Sequence, residues 1–319
     1  MKNQKLFGLI AIILIIMLCS ACASEVDVSP AITDTQTEAP TNEPTEEPTQ
    51  EPIIKPTTKV EIDYDKDLNG YGYEAEHTSD IAYAFAMPNE EVEFGNRKWI
   101  LKIYNAYYGE NETLTRTLEL SMGETKIEIP TEYAWEAVSF SITDFGKEHW
   151  TTNLSTIHNC LIYITCGGTQ SPIRTYVVRF VSSEKMQLDS VFEGNPSEFG
   201  KDTVVIRRHF YICGDASVYT EYKVIDFRHV QKSLEYKVAQ GSDRTVLKDF
   251  EAYILKSNGK YAKGTIKEGS TIKLQKTDLD TRVYFETDSG DKGYFLFDFE
   301  FELINGIRAN EIVECNYAG

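Results

Sequence analysis

From residue 59 onward, apolar and polar side chains alternate in short runs broken by Gly, Asn and Asp. Trp99, Leu101 and Ile103 are interleaved with Lys98, Ile100 and Lys102, and Ile127 and Ile129 with Lys126 and Glu128. Ile162 and Ile164 sit within Leu161–Thr165, and Tyr176, Val178 and Phe180 alternate within 175–181. Val204, Ile206, Phe210 and Ile212 fall on one face of a long run, as do Tyr222 and Val224. A period of two, carried by β-branched and aromatic residues, predicts half-buried strands. The expected fold class is therefore mainly β. Only Lys147–Asn159 and Ser183–Val191 offer short helical turns.

The first 58 residues break this pattern. Lys2 and Lys5 precede an apolar run, Leu6–Leu18, and then the small residues Ser20-Ala21-Cys22. Basic start, short apolar core and small-residue end are the layout of a secretory signal, and the core is shorter than the ~20 residues a membrane span needs. The Ser-Ala-Cys ending resembles the lipobox of bacterial lipoproteins, with Cys19 in the place where that family usually carries Leu. The resemblance implies cleavage before Cys22 and lipidation of Cys22. It places the protein, lipid-anchored, on the outer face of the bacterial cytoplasmic membrane. The alternative is an ordinary cleaved signal and a freely secreted chain. Residues 1–22 are thus expected to be a lipoprotein signal peptide.

Residues 23–58 are rich in Pro, Thr and Glu, with Pro40, Pro44, Pro48, Pro52 and Pro56 every fourth residue. Such a stretch cannot bury enough apolar surface to offset its ordering entropy, so it reads as a disordered tether. The net charge of −18 at pH 7 argues against nucleic acid, whose binding rests on Lys and Arg neutralising phosphates. Cys160, Cys166, Cys213 and Cys315 fall in the folded part. Outside the cytoplasm they are free to pair, with a connectivity that spacing does not fix, or to remain buried thiols. Nothing about them resembles a zinc site.

A polar stretch near Gly241 divides the rest into two expected domains, a β-rich one at 59–245 and a smaller one at 246–319. In the second, Asn258-Gly259, Glu268-Gly269 and Ser289-Gly290 mark tight turns between short strands, with Val283 and Phe285 on one face. Val283, Gly290, Gly293 and Phe295 match the hairpin of bacterial SH3-like domains, and Arg282 and Tyr294 stand where that family has two tryptophans. The resemblance implies an SH3-like barrel and, in the family, an aromatic groove for cell-wall peptides.

At the other end, Asp65, Asp67 and Asn69 alternate ahead of Gly70, with Tyr71 and Glu76 following. Ca²⁺ takes six to eight oxygens, and this spacing lets one loop deliver several, Tyr71 through its carbonyl and Glu76 as the closing carboxylate. The loop is similar to those of FG-GAP or VCBS repeats, which are β-propeller blades. That resemblance implies a partial or degenerate propeller-like domain stabilised by Ca²⁺.

No GxSxG, HExxH, P-loop or GxGxxG occurs, and His149, His158 and His209 lack partners at diagnostic spacing. The expectation is a non-enzymatic surface protein, bound to the membrane through its lipid and to a cell-wall polymer, a carbohydrate or an envelope protein. An accessory subunit of an envelope complex and an unrecognised envelope hydrolase are the alternatives.

Overall fold

The structure is a computed structural model, and it describes residues 58–62, 72–108, 113–132, 137–145, 160–168, 171–182, 184–239, 242–315 and 317. All of them belong to one compact unit, Ile54–Gly319. The chain is mainly β, as the alternation predicts.

The first strands are β1 (Thr58–Glu61), β2 (Glu76–His77), β3 (Ala82–Ala86), β4 (Glu91–Phe94), β5 (Arg97–Tyr108), β6 (Thr113–Met122) and β7 (Thr125–Thr131). They are followed by β8 (Ala137–Asp144), β9 (Leu161–Gly168), β10 (Ser171–Ser182) and β11 (Lys185–Glu193). Two five-stranded antiparallel sheets result. One has the order β1-β5-β6-β7 with β4 also on β5, and the other has the order β11-β10-β9-β8-β3. Their inner faces share a core: Trp99, Leu101, Ile103, Leu118 and Leu120 come from the first sheet, and Phe140, Ile162, Ile164, Val178 and Phe180 from the second. The Trp99 and Phe180 rings meet edge-on with centroids 5.5 Å apart.

The outer face of the second sheet is buried as well. Leu161, Tyr163 and Val177 pack with Phe199, Val204, Ile206 and Val224 in another cluster. Burial on both faces is why Leu161–Ile164 reads as a continuous apolar run rather than an alternating one. Ser183–Val191, expected as a helical turn, is instead largely β11. Val177 pairs with Ser190 and Val178 with Leu188, so Asp189 is an extra residue in a β-bulge, and the bulge breaks the period of two.

On the exposed face of the first sheet, edge strand β1 is fixed by charge. Lys59 Nζ lies 2.7 Å from Glu119 Oε2 and 3.9 Å above the Tyr104 ring, and Lys126 reaches the same carboxylate at 3.0 Å. Burial pushes the Glu119 carboxyl up, but hydrogen bonds from Lys59 and Lys126 outweigh it and hold the group below the ordinary carboxylate range.

The chain continues through β12 (Asn195–Phe199), β13 (Thr203–Tyr211), β14 (Asp215–Ile225), β15 (Arg228–Gln231), β16 (Tyr236–Val238) and β17 (Asp243–Thr245). Its last strands are β18 (Phe250–Leu255), β19 (Tyr261–Ile266), β20 (Thr271–Thr277), β21 (Arg282–Thr287), β22 (Lys292–Asp298), β23 (Leu303–Ile304) and β24 (Ile307–Arg308), followed by one turn of helix, α1 (Ala309–Ile312). One extended sheet runs β19-β18-β22-β21-β20-β16-β14-β13-β12-β2. It crosses residue 246 without a break, because β16 and β17 both pair with β20. The core beneath its C-terminal part also spans that position, joining Ile212, Val218 and Val238 to Phe250, Leu274, Phe285 and Phe295. The turns at Gly259, Gly269 and Gly290 all have positive φ, which the tight-turn glycines anticipate.

Candidate functional site

Strands β18, β22 and β21 lie side by side, and each alternates an inward aromatic or aliphatic residue with an outward one. Phe250, Ala252 and Ile254, Phe295 and Phe297, and Val283 and Phe285 point into the core. The outward positions hold tyrosines in cross-strand register: Tyr253 opposite Tyr294, and Tyr294 opposite Tyr284. Three tyrosines from three strands therefore form one row across the sheet. Lys263 on β19 extends it beyond Tyr253, and Lys276 on β20 extends it beyond Tyr284.

The rings of this row touch. Tyr253 and Tyr294 are stacked, with centroids 4.8 Å apart and planes 10° from parallel. Tyr284 meets Tyr294 at 5.6 Å, and Tyr261 meets it edge-on at 4.9 Å. The Arg282 guanidinium lies 5.2 Å from the Tyr294 centroid, and Lys276 Nζ lies 4.6 Å from that of Tyr284, both cation–π distances. Tyr261, Leu255 and Leu296 are exposed beside the row.

Gly293 makes the stack possible. It pairs with Ile254, and a Cβ there would lie 2.5 Å from the Tyr253 carbonyl oxygen and 2.9 Å from Phe285 Cζ. Only glycine lets β18 come close enough for Tyr253 to reach Tyr294.

The charges around the row are mostly neutralised. Lys263 pairs with Glu251 at 3.3 Å, Lys276 with Glu235 at 2.5 Å and Lys292 with Glu286 at 3.6 Å. What remains is a nearly neutral aromatic strip with one guanidinium, suited to stacking against a ring or an extended chain rather than to transferring protons or groups. An open concavity of about 880 Å³ lies elsewhere, against Arg97, Lys98, Gly123 and Lys126. Its lining sets these cations among the carboxylates of Glu93, Glu124 and Glu184.

The residues singled out from the sequence fall as follows. Arg282 and Tyr294 come together on the row. Their partners Tyr253, Tyr261 and Tyr284 were missed, because only strand pairing aligns them; tyrosines at outward positions of consecutive strands were the available signal. Cys22 and four of the five calcium candidates, Asp65, Asp67, Asn69 and Tyr71, lie outside the described residues. The fifth, Glu76, is exposed on β2, where it stands opposite Glu198 in a parallel pair. Among the described residues no group of three His, Cys, Asp or Glu converges on a metal position. The metal expectation thus stands on sequence spacing alone.

His149 and His158 also lie outside the described residues. His209 is exposed, with Nε2 3.2 Å from Asp215 Oδ1 and its ring against Tyr211. His229 is half-buried, and its Nε2 is 2.7 Å from the Tyr163 hydroxyl. Tyr163 is fully enclosed, so this pair belongs to the packing. Among the described residues no helix is long and apolar enough to cross a membrane. No family model, curated protein or solved structure matches this chain.

Proposed function

We propose that this chain is a lipid-anchored surface protein that binds a cell-envelope polymer through the tyrosine row of its C-terminal module. The observation that carries this reading is the row itself. Four contiguous tyrosine rings and a guanidinium sit on an outward sheet face, a pattern that a merely solvated surface does not require.

The strand order supports an SH3-like module. β19-β18-β22-β21-β20 is the order a five-stranded ring meander takes when opened between its second and third strands. The four-stranded meander β8-β9-β10-β11 is in keeping with a blade-like unit upstream, as a degenerate propeller would have. In this reading Ca²⁺ at Asp65, Asp67, Asn69, Tyr71 and Glu76 would support folding rather than chemistry. Leu255 and Leu296, exposed on either side of the row, favour a second reading in which a protein subunit of an envelope complex docks on the same face.

Two experiments test the proposal. The full-length chain is expected to co-sediment with purified peptidoglycan sacculi, and Tyr294→Ala is expected to lower the apparent affinity at least ~tenfold, the loss of one interfacial aromatic anchor. Absence of wild-type co-sedimentation would overturn the polymer reading and leave the docking one. For the anchor, fatty-acid labelling in a bacterial host is expected for the wild type and lost in Cys22→Ala. Equal label in both would remove the lipid from the proposal.

A further inference from the structure

The C-terminal segment after α1 returns to the hairpin between β13 and β14. Val313 bridges Val246, and the Glu314 amide donates to the Thr245 carbonyl at 2.8 Å. Continued by one residue, this antiparallel register sets Cys315 level with Arg244. The Arg244 side chain reaches into the hairpin turn, where Nε donates to the Cys213 carbonyl at 2.6 Å and Nη2 to that of Asp215 at 3.1 Å.

A second contact brackets the same place. Tyr317, two residues beyond Cys315, has its ring 6.3 Å from that of Tyr211, two residues before Cys213. Burial raises the pKa of the Cys213 thiol, and the Cys315 sulfur is near enough to add to that effect. Cys213 is buried in the C-terminal core, and Cys315 packs against that same cluster. Cys213 also turns the chain, at φ 54, next to Gly214 at φ 94. The other two described cysteines, Cys160 and Cys166, are buried in the separate core between the two five-stranded sheets.

We propose that Cys213 and Cys315 are a disulfide pair that ties the C-terminal segment to the β13–β14 hairpin. All four described cysteines are thiols in this structure. Closing the bond joins the two sulfurs and releases two protons and two electrons to a disulfide oxidant. Such an oxidant is a thiol–disulfide oxidoreductase outside the cytoplasm or oxidised glutathione in solution, which becomes two thiols. Cys315 is half-buried and Cys213 fully enclosed, so Cys315 is the sulfur that meets the oxidant first. Its mixed disulfide is then resolved by Cys213. The bond would close a loop of about 100 residues and so constrain the unfolded chain strongly.

The test is refolding of the full-length chain in a glutathione redox buffer, followed by alkylation, non-reducing digestion and mass spectrometry. A cross-linked peptide pair containing Cys213 and Cys315 is expected, with Cys160 and Cys166 recovered as alkylated thiols. The oxidised protein should melt about 10 °C above the reduced one, and Cys315→Ser should melt with the reduced protein under either condition. Complete alkylation of Cys213 and Cys315 after oxidation, or linkage of either to another cysteine, would overturn the pairing. Neither outcome depends on whether the tyrosine row binds a polymer.

Discussion

Gly293→Val is expected to lower folding stability by about 3 kcal/mol and to abolish the Tyr253–Tyr294 stack. The reason is space. Gly293 does not have positive φ, so its backbone conformation is open to any residue. The first side-chain atom would nonetheless meet the Tyr253 carbonyl oxygen at 2.5 Å and the buried Phe285 ring at 2.9 Å. Neither neighbour can give way cheaply. Phe285 is fixed in the core, and moving the carbonyl separates β18 from β22, which pair only through Tyr253–Tyr294 and Ile254–Gly293. Gly259→Ala is the matched control. Gly259 has φ +75 with nothing within 4 Å of its Cβ position. Its substitution should cost only about 1 kcal/mol of left-handed backbone strain and leave the stack intact. Urea midpoints and near-ultraviolet tyrosine dichroism read the two effects separately. A valine variant with the wild-type midpoint would show that β18 and β22 are not held this closely.

That glycine illustrates how far the sequence can be read. Gly293-Tyr294 was legible as part of a hairpin, because Ser289-Gly290 marks the turn and Val283 and Phe285 alternate inward. The stacking partner Tyr253 lies far upstream, on a strand that joins β22 only through tertiary pairing, and no local period encodes that. Strands with one wet face, such as β5 with Trp99, Leu101 and Ile103, could be read directly. Two places obscured the signal. β9 is buried on both sides, so its alternation vanishes into a continuous apolar run. β11 carries the bulge at Asp189, which shifts its side chains out of phase and mimics a polar turn. The polar stretch near Gly241, read as a domain divide, lies between β16 and β17, two short strands that both add to β20. Composition marks where a chain turns, but not which edge it turns back to.

The same bulge stands beside the group expected to dominate acid sensitivity. His229 lies among Phe192, Tyr222 and Tyr163, and its Nε2 meets the Tyr163 hydroxyl. Its Nδ1 is buried with no hydrogen-bond partner among the described residues. Burial pulls its pKa from 6.5 to about 4, and the Asp189 carboxylate pulls the other way more weakly. A histidine depressed in the folded state binds its proton more readily once unfolded. Its contribution is therefore fully present above pH 6.5 and drains away as pH falls toward 4. The gap corresponds to about 3 kcal/mol, an upper value for a group that is not wholly enclosed. Urea unfolding of the wild type and of His229→Gln between pH 7 and pH 4 isolates this contribution, since the carboxylates titrate alike in both. The wild type should lose up to about 3 kcal/mol more than the variant across that window. Tyr163→Phe should keep the slope while losing about 1 kcal/mol at pH 7 through its missing hydroxyl. Parallel pH profiles for the wild type and His229→Gln would mean that the imidazole takes up its proton inside the fold without cost, and that β15 opens to water around it.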